Sequence, residues 1–288
     1  MALNTNHVTL TMAFFRSYPP PSTLKSLIRE IQVYHLNALD GNSPGQFITC
    51  LANTEQNLYL YINDPVKIIP AERIEIQIPG AVVTGPKFKP VGLLFGKDHL
   101  MIKVAFHPTG TYRLLGIDMQ QTINAGIDAV TIWGDDVSEL MVELQALGTQ
   151  NAYDAMAGKA ISFIEQRFDA SCRAEEPIDQ VAIDMLDPSL RYPLEEWASR
   201  ACLSLRQFER NFLIRVGITP KLFIRIVRFE NAMRVKNEDP DKSWSEIALE
   251  CGYTDSSHLL REFKEFAEFP PGRFYEQPTS GYSPFPTG

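Results

Sequence analysis

The pattern of apolar and polar residues changes character near residue 135 of the chain. Before that point, runs such as Asn57–Ile62 and Arg73–Ile78 alternate apolar and polar residues and are rich in Ile and Tyr. This period of two predicts β-strands, and Met101–Phe106 is a further strand candidate. Short strands at close intervals predict a β-sandwich or small barrel over about residues 8–117.

One N-terminal segment has a different spacing of apolar residues. Leu24, Leu27, Ile28 and Ile31 recur three or four positions apart. Since this is the spacing of one helix face, a helix is predicted within residues 22–35.

After Asp135 the apolar spacing is mostly helical. Residues 137–147 and 152–168 each repeat apolar side chains every three or four positions, which predicts two amphipathic helices that extend the β-rich region. A connection with one short helix over 178–186 follows. We therefore predict a first domain over residues 1–170 and a linker over 171–188.

Residues 189–276 read as a string of short, well-capped helices. Ser204 and Ser243 are suited to cap helices over 205–215 and 244–250. Thr219-Pro220 opens a longer helix to about Lys236, because proline is favoured at the first helical position. A further helix is predicted over 256–266 and a last short one from Pro271. The tail 277–288 is rich in proline and glycine and is predicted to be disordered.

Charge supports this division into two domains. The chain has a net charge of −8, yet residues 189–276 contain 14 basic and 14 acidic residues, so all of the excess negative charge lies elsewhere. A neutral C-terminal unit can still present a basic face if its acidic side chains point away from that face.

Cysteine usage and hydropathy bear on compartment. The four cysteines form no CxxC pair, which fits reduced thiols in the cytosol. No signal-peptide pattern and no run of about 18 apolar residues is present, so a cytoplasmic protein without a membrane partner is expected.

Two C-terminal segments share one plan. Residues 198–212 and 248–263 each contain the end of a helix with a small residue, a short turn, a polar cap and a second helix carrying arginine. This is the helix-turn-helix pattern, in which the second helix can lie in a DNA major groove. The repetition of the pattern favours DNA binding over a simple helical bundle.

The spacing on these second helices gives candidate DNA contacts. Arg206 and Arg210 share a face, as do Ser257 and Arg261, with His258 nearby. Arginine suits bidentate contact with guanine. The apolar sides are predicted to be Phe208 and Phe212 on the first helix, and Leu259, Leu260 and Phe263 on the second.

Residues from about Leu194 to Tyr275 resemble the DNA-binding domain of AraC-type (AraC/XylS) transcription regulators. The strings that carry the resemblance include Leu203–Arg210, Val216–Pro220, Ile247–Tyr253 and Asp255–Lys264. The resemblance implies two helix-turn-helix units joined by one linker helix. The base-reading positions that it implies are Arg206, Glu209, Arg210, Ser256, Ser257, His258 and Arg261. The candidates for contact with the DNA backbone are Ser204, Asp255 and Lys264.

Two residues depart from the family pattern. Cys202 stands in the first turn, where glycine is frequent, and Ala267-Glu268 replaces a turn that usually contains glycine. Neither departure removes a recognition residue.

The N-terminal part resembles the β-rich, sensor-like domains found before such DNA-binding domains. Ile78–Pro86, Val104–Tyr112 and Leu114–Ile117 carry this resemblance. It implies a cupin-like or related β-fold with a helical extension, so the fold class predicted for the whole chain is α+β. It does not identify an effector.

Sequence-specific, DNA-binding regulation of transcription is the main hypothesis, with double-stranded DNA as partner. RNA polymerase, a small-molecule effector and a second copy of the chain are further candidate partners. One alternative is an enzyme or metal-binding protein whose β-domain does the chemistry; another is a β-domain that only dimerises. His7, His35, His99 and His107 have no metal-binding spacing, so no metal, cofactor or catalytic residue is predicted.

Overall fold

A computed structural model describes residues 10–38, 46–69, 75–123, 126–273 and 279–280. It contains an N-terminal β-rich region, a helical extension and a C-terminal all-α region, which confirms the predicted α+β class. Within the described residues, no helix is long and apolar enough to cross a membrane.

The β-rich region consists of two sheets. Its strands, in chain order, are β1 (Leu10–Tyr18), β2 (Ile28–Ala38), β3 (Gln46–Cys50), β4 (Gln56–Tyr61), β5 (Lys67–Ile69), β6 (Ile76–Gln77), β7 (Ala81–Thr84), β8 (Val91–Phe95), β9 (Asp98–Phe106), β10 (Ile127–Asp128) and β11 (Thr279–Ser280). One sheet has the order β1-β2-β9-β4-β7-β10, and the other has the order β11-β3-β8-β5-β6. Neighbouring strands are antiparallel except β11 and β3.

The helices follow the β-rich region. They are α1 (Gly110–Leu115), α2 (Ala129–Trp133), α3 (Asp135–Gly148), α4 (Tyr153–Ser171), α5 (Pro177–Asp184), α6 (Leu194–Arg200), α7 (Leu205–Val216), α8 (Pro220–Glu238), α9 (Trp244–Glu250) and α10 (Ser256–Ala267). Short 3-10 turns lie at Met119–Thr122 and Pro271–Arg273. The helices predicted after Asp135 are confirmed, with ends shifted by a few residues.

Strand β9 separates two apolar layers because its side chains alternate between the faces of the sheet. Ile102 and Val104 belong to a cluster that also contains Leu140 of α3 and Phe163 of α4. Met101 belongs to a second cluster on the other face, shared with residues of the opposing sheet. The helical extension therefore covers one face of the larger sheet, and the smaller sheet covers the other.

The helix predicted within residues 22–35 is wrong, because most of this segment enters strand β2. Leu24 and Leu27 lie in a turn, and their 0% exposure comes from packing under the sheet. Ile31 and Val33 then point to one face of β2 while Tyr34 points to the other. The spacing of three and four therefore came from a turn joined to a strand and not from one helical face.

Helix α1 lies in a region predicted to be mostly strand. Its first residue, Gly110, packs so closely that a Cβ atom there would stand 2.3 Å from the backbone oxygen of Leu27. The Gly110 N–H donates to the His107 oxygen, which closes the turn before the helix. A close backbone approach, which spacing of apolar residues cannot reveal, therefore sets this helix.

The tail predicted to be disordered falls almost entirely outside the described residues. Thr279 and Ser280 are described and pair in parallel with Thr49 and Cys50 of β3.

Helix α5 lies within the span predicted as a linker, yet its apolar side chains belong to the C-terminal core. Ile178, Val181 and Ala182 share one buried cluster with the helices from α6 onward. The Arg215 guanidinium of α7 is buried and its Nη1 donates to the Asp179 carboxylate at 2.9 Å, with a second bond to Glu176. The C-terminal helices therefore need α5 to complete their core and to neutralise Arg215.

We predict that a fragment of residues 176–276 is more stable than one of residues 189–276. The shorter fragment loses the buried apolar side chains of α5, at about 1.5–3 kcal/mol for each large one, and also loses both carboxylates that pair with Arg215. Denaturant unfolding of both fragments measures the difference. A fragment of residues 172–276 is the control, and its free energy of unfolding should equal that of the 176–276 fragment. Equal stability of all three fragments would contradict the role assigned to α5.

Candidate nucleic-acid interface

Two helix pairs form the helix-turn-helix units. In the first, α6 packs on α7 through Trp197 and Ala198, which are buried with Phe208. In the second, α9 packs on α10 through buried residues that include Ile247 and Phe263. Small alanines at matching places, Ala198 and Ala248, let each pair of helices approach closely.

Both recognition helices begin at a side-chain cap. The Ser204 Oγ accepts a hydrogen bond from the Gln207 N–H (3.4 Å), and the Gln207 side chain accepts one from the Ser204 N–H (3.1 Å). At the start of α10, the Asp255 carboxylate accepts from the His258 N–H at 2.7 Å. These caps fix the first turn of each helix, whose remaining N–H groups favour an anion such as a DNA phosphate.

The turns of the two units share a backbone conformation. Gly252 has φ 76° and Cys202 has φ 56°, so both lie in the left-handed region. Glycine adopts this region without a steric penalty, whereas a residue with a Cβ atom does not. Glu268, in the second departure from the family pattern, is also left-handed at φ 62°. Both departures thus keep the turn that a glycine would make.

The predicted base-reading arginines are exposed and have no partner in the described part of the chain. Arg206 and Arg210 lie on the outer face of α7 beside the exposed Glu209. On α10, Arg261 is exposed near Ser257. Within the described ranges, none of these three arginines makes a hydrogen bond or an ion pair. Lys264 is likewise exposed, and Ser256 is half-buried.

Other arginines of the C-terminal domain are held by carboxylates. The Arg225 Nε and the Arg228 Nη2 of the linker helix α8 donate to one Glu262 oxygen at 2.9 and 2.7 Å. Glu262 is 3% exposed, so this network ties α10 to the linker helix. The sequence analysis missed Glu262, because spacing along a helix does not reveal a partner some 30 residues away.

His258 differs from the other predicted base-reading residues. Its Nε2 lies 3.5 Å from the Glu262 carboxylate, and its ring meets the Tyr253 ring edge-on at 5.3 Å. Its Nε2 also lies 3.5 Å from the Arg228 Nη2 of the linker helix, against which the side chain is half-buried. The role of His258 in base reading stays a prediction, and the side chain also packs within the domain.

Leu260 does not lie on the buried side of α10, where it was predicted. It was predicted to lie on the apolar side of α10, but it is 43% exposed, whereas Leu259 and Phe263 are fully buried. The reason is that Leu260 precedes Arg261 and follows Ser257 by three positions, so it shares their outer face. An apolar side chain thus lies among the predicted base-reading residues.

Two histidines of the β-rich region, His35 and His99, have different surroundings. His35 is held between the Tyr153 hydroxyl (2.8 Å) and the Asp98 carboxylate (2.6 Å). His99 is fully buried with no hydrogen-bond partner for either ring nitrogen, and burial lowers its pKa to about 3. His7 lies outside the described residues. Among the described residues, no group of three or more His, Cys, Asp or Glu side chains could hold a metal ion.

Comparisons with known proteins agree with this architecture. Residues 197–277 match the family model described as a helix-turn-helix domain. The chain is 26% identical over 144 residues to the HTH-type transcriptional activator RhaS of Klebsiella pneumoniae (strain 342), which covers 47% of this chain and 51% of RhaS. It is 26% identical over 90 residues to the HTH-type transcriptional regulator MtrA of Neisseria gonorrhoeae, which covers 31% and 30%.

Solved structures give a weaker likeness. The DNA-binding domain of AdpA, in complex with a target DNA, is 26% identical, covers 35% of this chain and 92% of that chain, and has a TM-score of 0.33. ToxT from Vibrio cholerae is 10% identical, covers 90% and 97%, and has a TM-score of 0.44. Both TM-scores lie below 0.5, so neither of these structures is used to assign a fold or a function to this chain.

The C-terminal part is a double helix-turn-helix domain. The family match and the similarity to RhaS and MtrA agree with the resemblance of this region to AraC-type DNA-binding domains. The chain spans about half the length of RhaS and less of MtrA.

We predict opposite effects of substitutions in the two turns. Gly252→Val should destabilise the domain by about 1 kcal/mol or more, because valine is strained at this φ and its Cβ would meet the Arg191 guanidinium. Cys202→Gly should instead raise stability by up to about 1 kcal/mol, since it removes the Cβ from a left-handed position. Denaturant unfolding of the full chain tests both; stabilisation by both or by neither would contradict the shared turn conformation.

Proposed function

We propose that this chain is a sequence-specific, DNA-binding transcription regulator that places α7 and α10 in successive major grooves. The observation that carries the proposal is the division of the arginines. Those on the outer faces of the two recognition helices have no partner in the described residues, while Arg215, Arg225 and Arg228 are bound to carboxylates. A free guanidinium can make the bidentate contact that guanine requires.

In this proposal, contacts with phosphate and with bases have different origins. The capped N-termini at Ser204 and Asp255 bring backbone N–H groups to phosphates, and Lys264 adds a positive charge. Arg206, Arg210 and Arg261 read base edges, assisted by Glu209, Ser256, Ser257 and His258. The exposed Leu260 is suited to the methyl group of thymine.

The linker helix sets the distance between the two units. Successive major grooves on one face of B-DNA lie roughly 34 Å apart, so both recognition helices must be held at a fixed spacing. Helix α8 is well suited to this task, since Phe223 packs on Phe212 of the first unit and Phe229 packs on Phe263 and Phe266 of the second.

We assign the N-terminal β-rich region a controlling role, as an effector-binding or dimerisation domain. A small-molecule effector, a second copy of the chain and RNA polymerase are its candidate partners, in the cytoplasm. An effector can act only by binding more tightly to one arrangement of the domains than to another.

We predict that Arg210→Ala and Arg261→Ala each weaken specific DNA binding by about 1–3 kcal/mol and relax selectivity at different base positions. The physical reason is the loss of a bidentate base contact on different recognition helices. The measurement is a titration against a selected site and its single-base variants at one salt concentration. Arg234→Ala is the control, because that exposed arginine is already bound to Glu238 at 2.7 Å. Uniform weakening on all sequences would reassign the residues to phosphate contacts.

We predict that Val227→Pro separates full-site from half-site binding. Val227 is buried in the interior of α8, where proline removes a backbone hydrogen bond and clashes with the preceding turn, at about 3 kcal/mol or more. Affinity should fall strongly on a full site and little on a half-site, because the two units lose their fixed spacing.

The control for this prediction is Val227→Ala, which removes buried volume but keeps the helix. It should lower stability without changing the ratio of full-site to half-site affinity. An equal proportional loss on both sites in Val227→Pro would mean that the domain has unfolded, and no loss on the full site would mean that α8 is not a rigid spacer.

A further inference from the structure

One short connection of the β-rich region reaches three elements of the C-terminal domain. It runs over residues 51–56, between β3 and β4, and we call it the brace. The Ala52 N–H donates to the Phe266 oxygen of α10 (3.2 Å), and the Gln56 Nε2 donates to the Val216 oxygen of α7 (3.2 Å). Between them, Thr54 contacts the linker helix. The brace thus touches the C-terminal ends of both recognition helices and the helix that joins them.

The contact with the linker helix is made through Glu230. The Thr54 Oγ1 donates to one Glu230 oxygen at 2.9 Å, and the Thr54 N–H donates to the other at 3.4 Å. Leu51 and Ala52 are buried in the same apolar cluster as the C-terminal helices, so the brace is packed as well as hydrogen-bonded.

Glu230 receives these bonds without a cation to neutralise it. Within the described ranges no lysine, arginine or histidine forms an ion pair with it. The charged groups nearest to it are already engaged: the Glu55 carboxylate is bound by the Lys103 ammonium at 2.9 Å and by Arg29 at 3.2 Å, and Arg29 also pairs with Glu30. Arg234, one turn along α8, is bound to Glu238.

The two neighbouring carboxyl groups therefore differ in their protonation. Burial opposes ionisation of Glu55, but Lys103 and Arg29 outweigh it and hold the pKa of Glu55 well below its usual range. Burial raises the pKa of Glu230 to about 7, and the negative Glu55 adds to the shift, against the two bonds from Thr54. A cavity of about 530 Å³, lined in part by Glu230, Glu55, Arg29, Glu30 and Arg234, lies beside them.

We propose that the brace and Glu230 form a proton-sensitive latch between the β-rich region and the DNA-binding domain. When Glu230 is neutral, the brace is docked against both helix-turn-helix units. When Glu230 ionises, its charge is only half-exposed and lies next to the Glu55 carboxylate, and docking is weakened.

The direction of the pH effect follows from the pKa of Glu230. A carboxyl group in water releases its proton near pH 4.5, whereas the docked one keeps it to about pH 7. Docking is therefore fully favoured below about pH 4.5, loses stability progressively as pH rises from there, and has lost all of this contribution once pH has passed about 7. If the whole difference arose at this contact, docking would weaken roughly 300-fold; we expect at least about tenfold.

Hydrogen exchange of single amides in the full chain tests the latch without DNA. The Ala52 amide bonds across the contact, whereas the Asn53 amide bonds to the Lys87 oxygen at 2.8 Å within the β-rich region. After correction for intrinsic exchange, protection of Ala52 should fall at least about tenfold from pH 4.5 to 8.5, with most of the fall complete by pH 7, while Asn53 stays protected. In Glu230→Gln, which cannot ionise, Ala52 should stay protected throughout. Asp241→Asn, at an exposed carboxylate just beyond the end of the same helix, should behave as wild type.

Two results would overturn the latch: constant protection of Ala52 in wild type, or the same fall in Glu230→Gln. If Glu230→Gln loses protection at Asn53 as well, its fold has changed and Glu55→Gln decides instead. That variant removes the repelling charge and frees Arg29 and Lys103, so the fall in Ala52 protection should move to lower pH. An unmoved transition there would also overturn the proposal.

A link to DNA binding rests on the proposed function. Undocking changes what holds the two recognition helices, so full-site affinity should change with pH in wild type more than in Glu230→Gln. If the exchange results hold but no variant binds DNA at any pH, the proposed function fails and the latch stands.

Discussion

The burial of one helix on several sides is the constraint on which the C-terminal structure depends. Helix α8 carries Phe223 against the first helix-turn-helix unit and Phe229 against the second, and both side chains are essentially inaccessible to solvent. Since each unit is too small to bury a sizeable core by itself, the shared helix supplies core to both. The same packing that stabilises the units therefore fixes the distance and angle between them.

Salt bridges distinguish between the arginines of this domain. The domain has balanced charge, so a basic surface can arise only where acids are drawn elsewhere. Glu262, almost fully buried, takes up Arg225 and Arg228, and Asp179 takes up Arg215. Such pairs add little net stability, but an unpaired partner would be strongly destabilising. What remains exposed and unpaired among the described residues includes the arginines of the two recognition helices.

Features that depend on residues close together in the chain could be predicted from the sequence. The caps at Ser204 and Ser243 and the long helix from Pro220 follow from neighbouring residues, and the sequence predicted them. The helix predicted within 22–35 failed because a turn and a strand together imitated helical spacing. Contacts between distant segments, such as Glu262 with Arg228 or Thr54 with Glu230, leave no local pattern. The assignment of α5 to the C-terminal core depends on such a contact, through Asp179 and Arg215.

The placement of the β-rich region has a consequence for control. Its brace meets α7 and α10 at their C-terminal ends, at Val216 and Phe266, whereas the caps that we propose as phosphate contacts stand at their N-terminal ends. A domain attached in this way need not cover the base-reading side chains to influence them. It can act on the relation between the two units, because a groove-spanning site is sensitive to small changes in the spacing of its recognition helices. If control acts through spacing, a half-buried carboxylate in the linker helix has a purpose. Glu230 makes the contact between the brace and α8 reversible, whereas an apolar side chain at this position would only make that contact tighter.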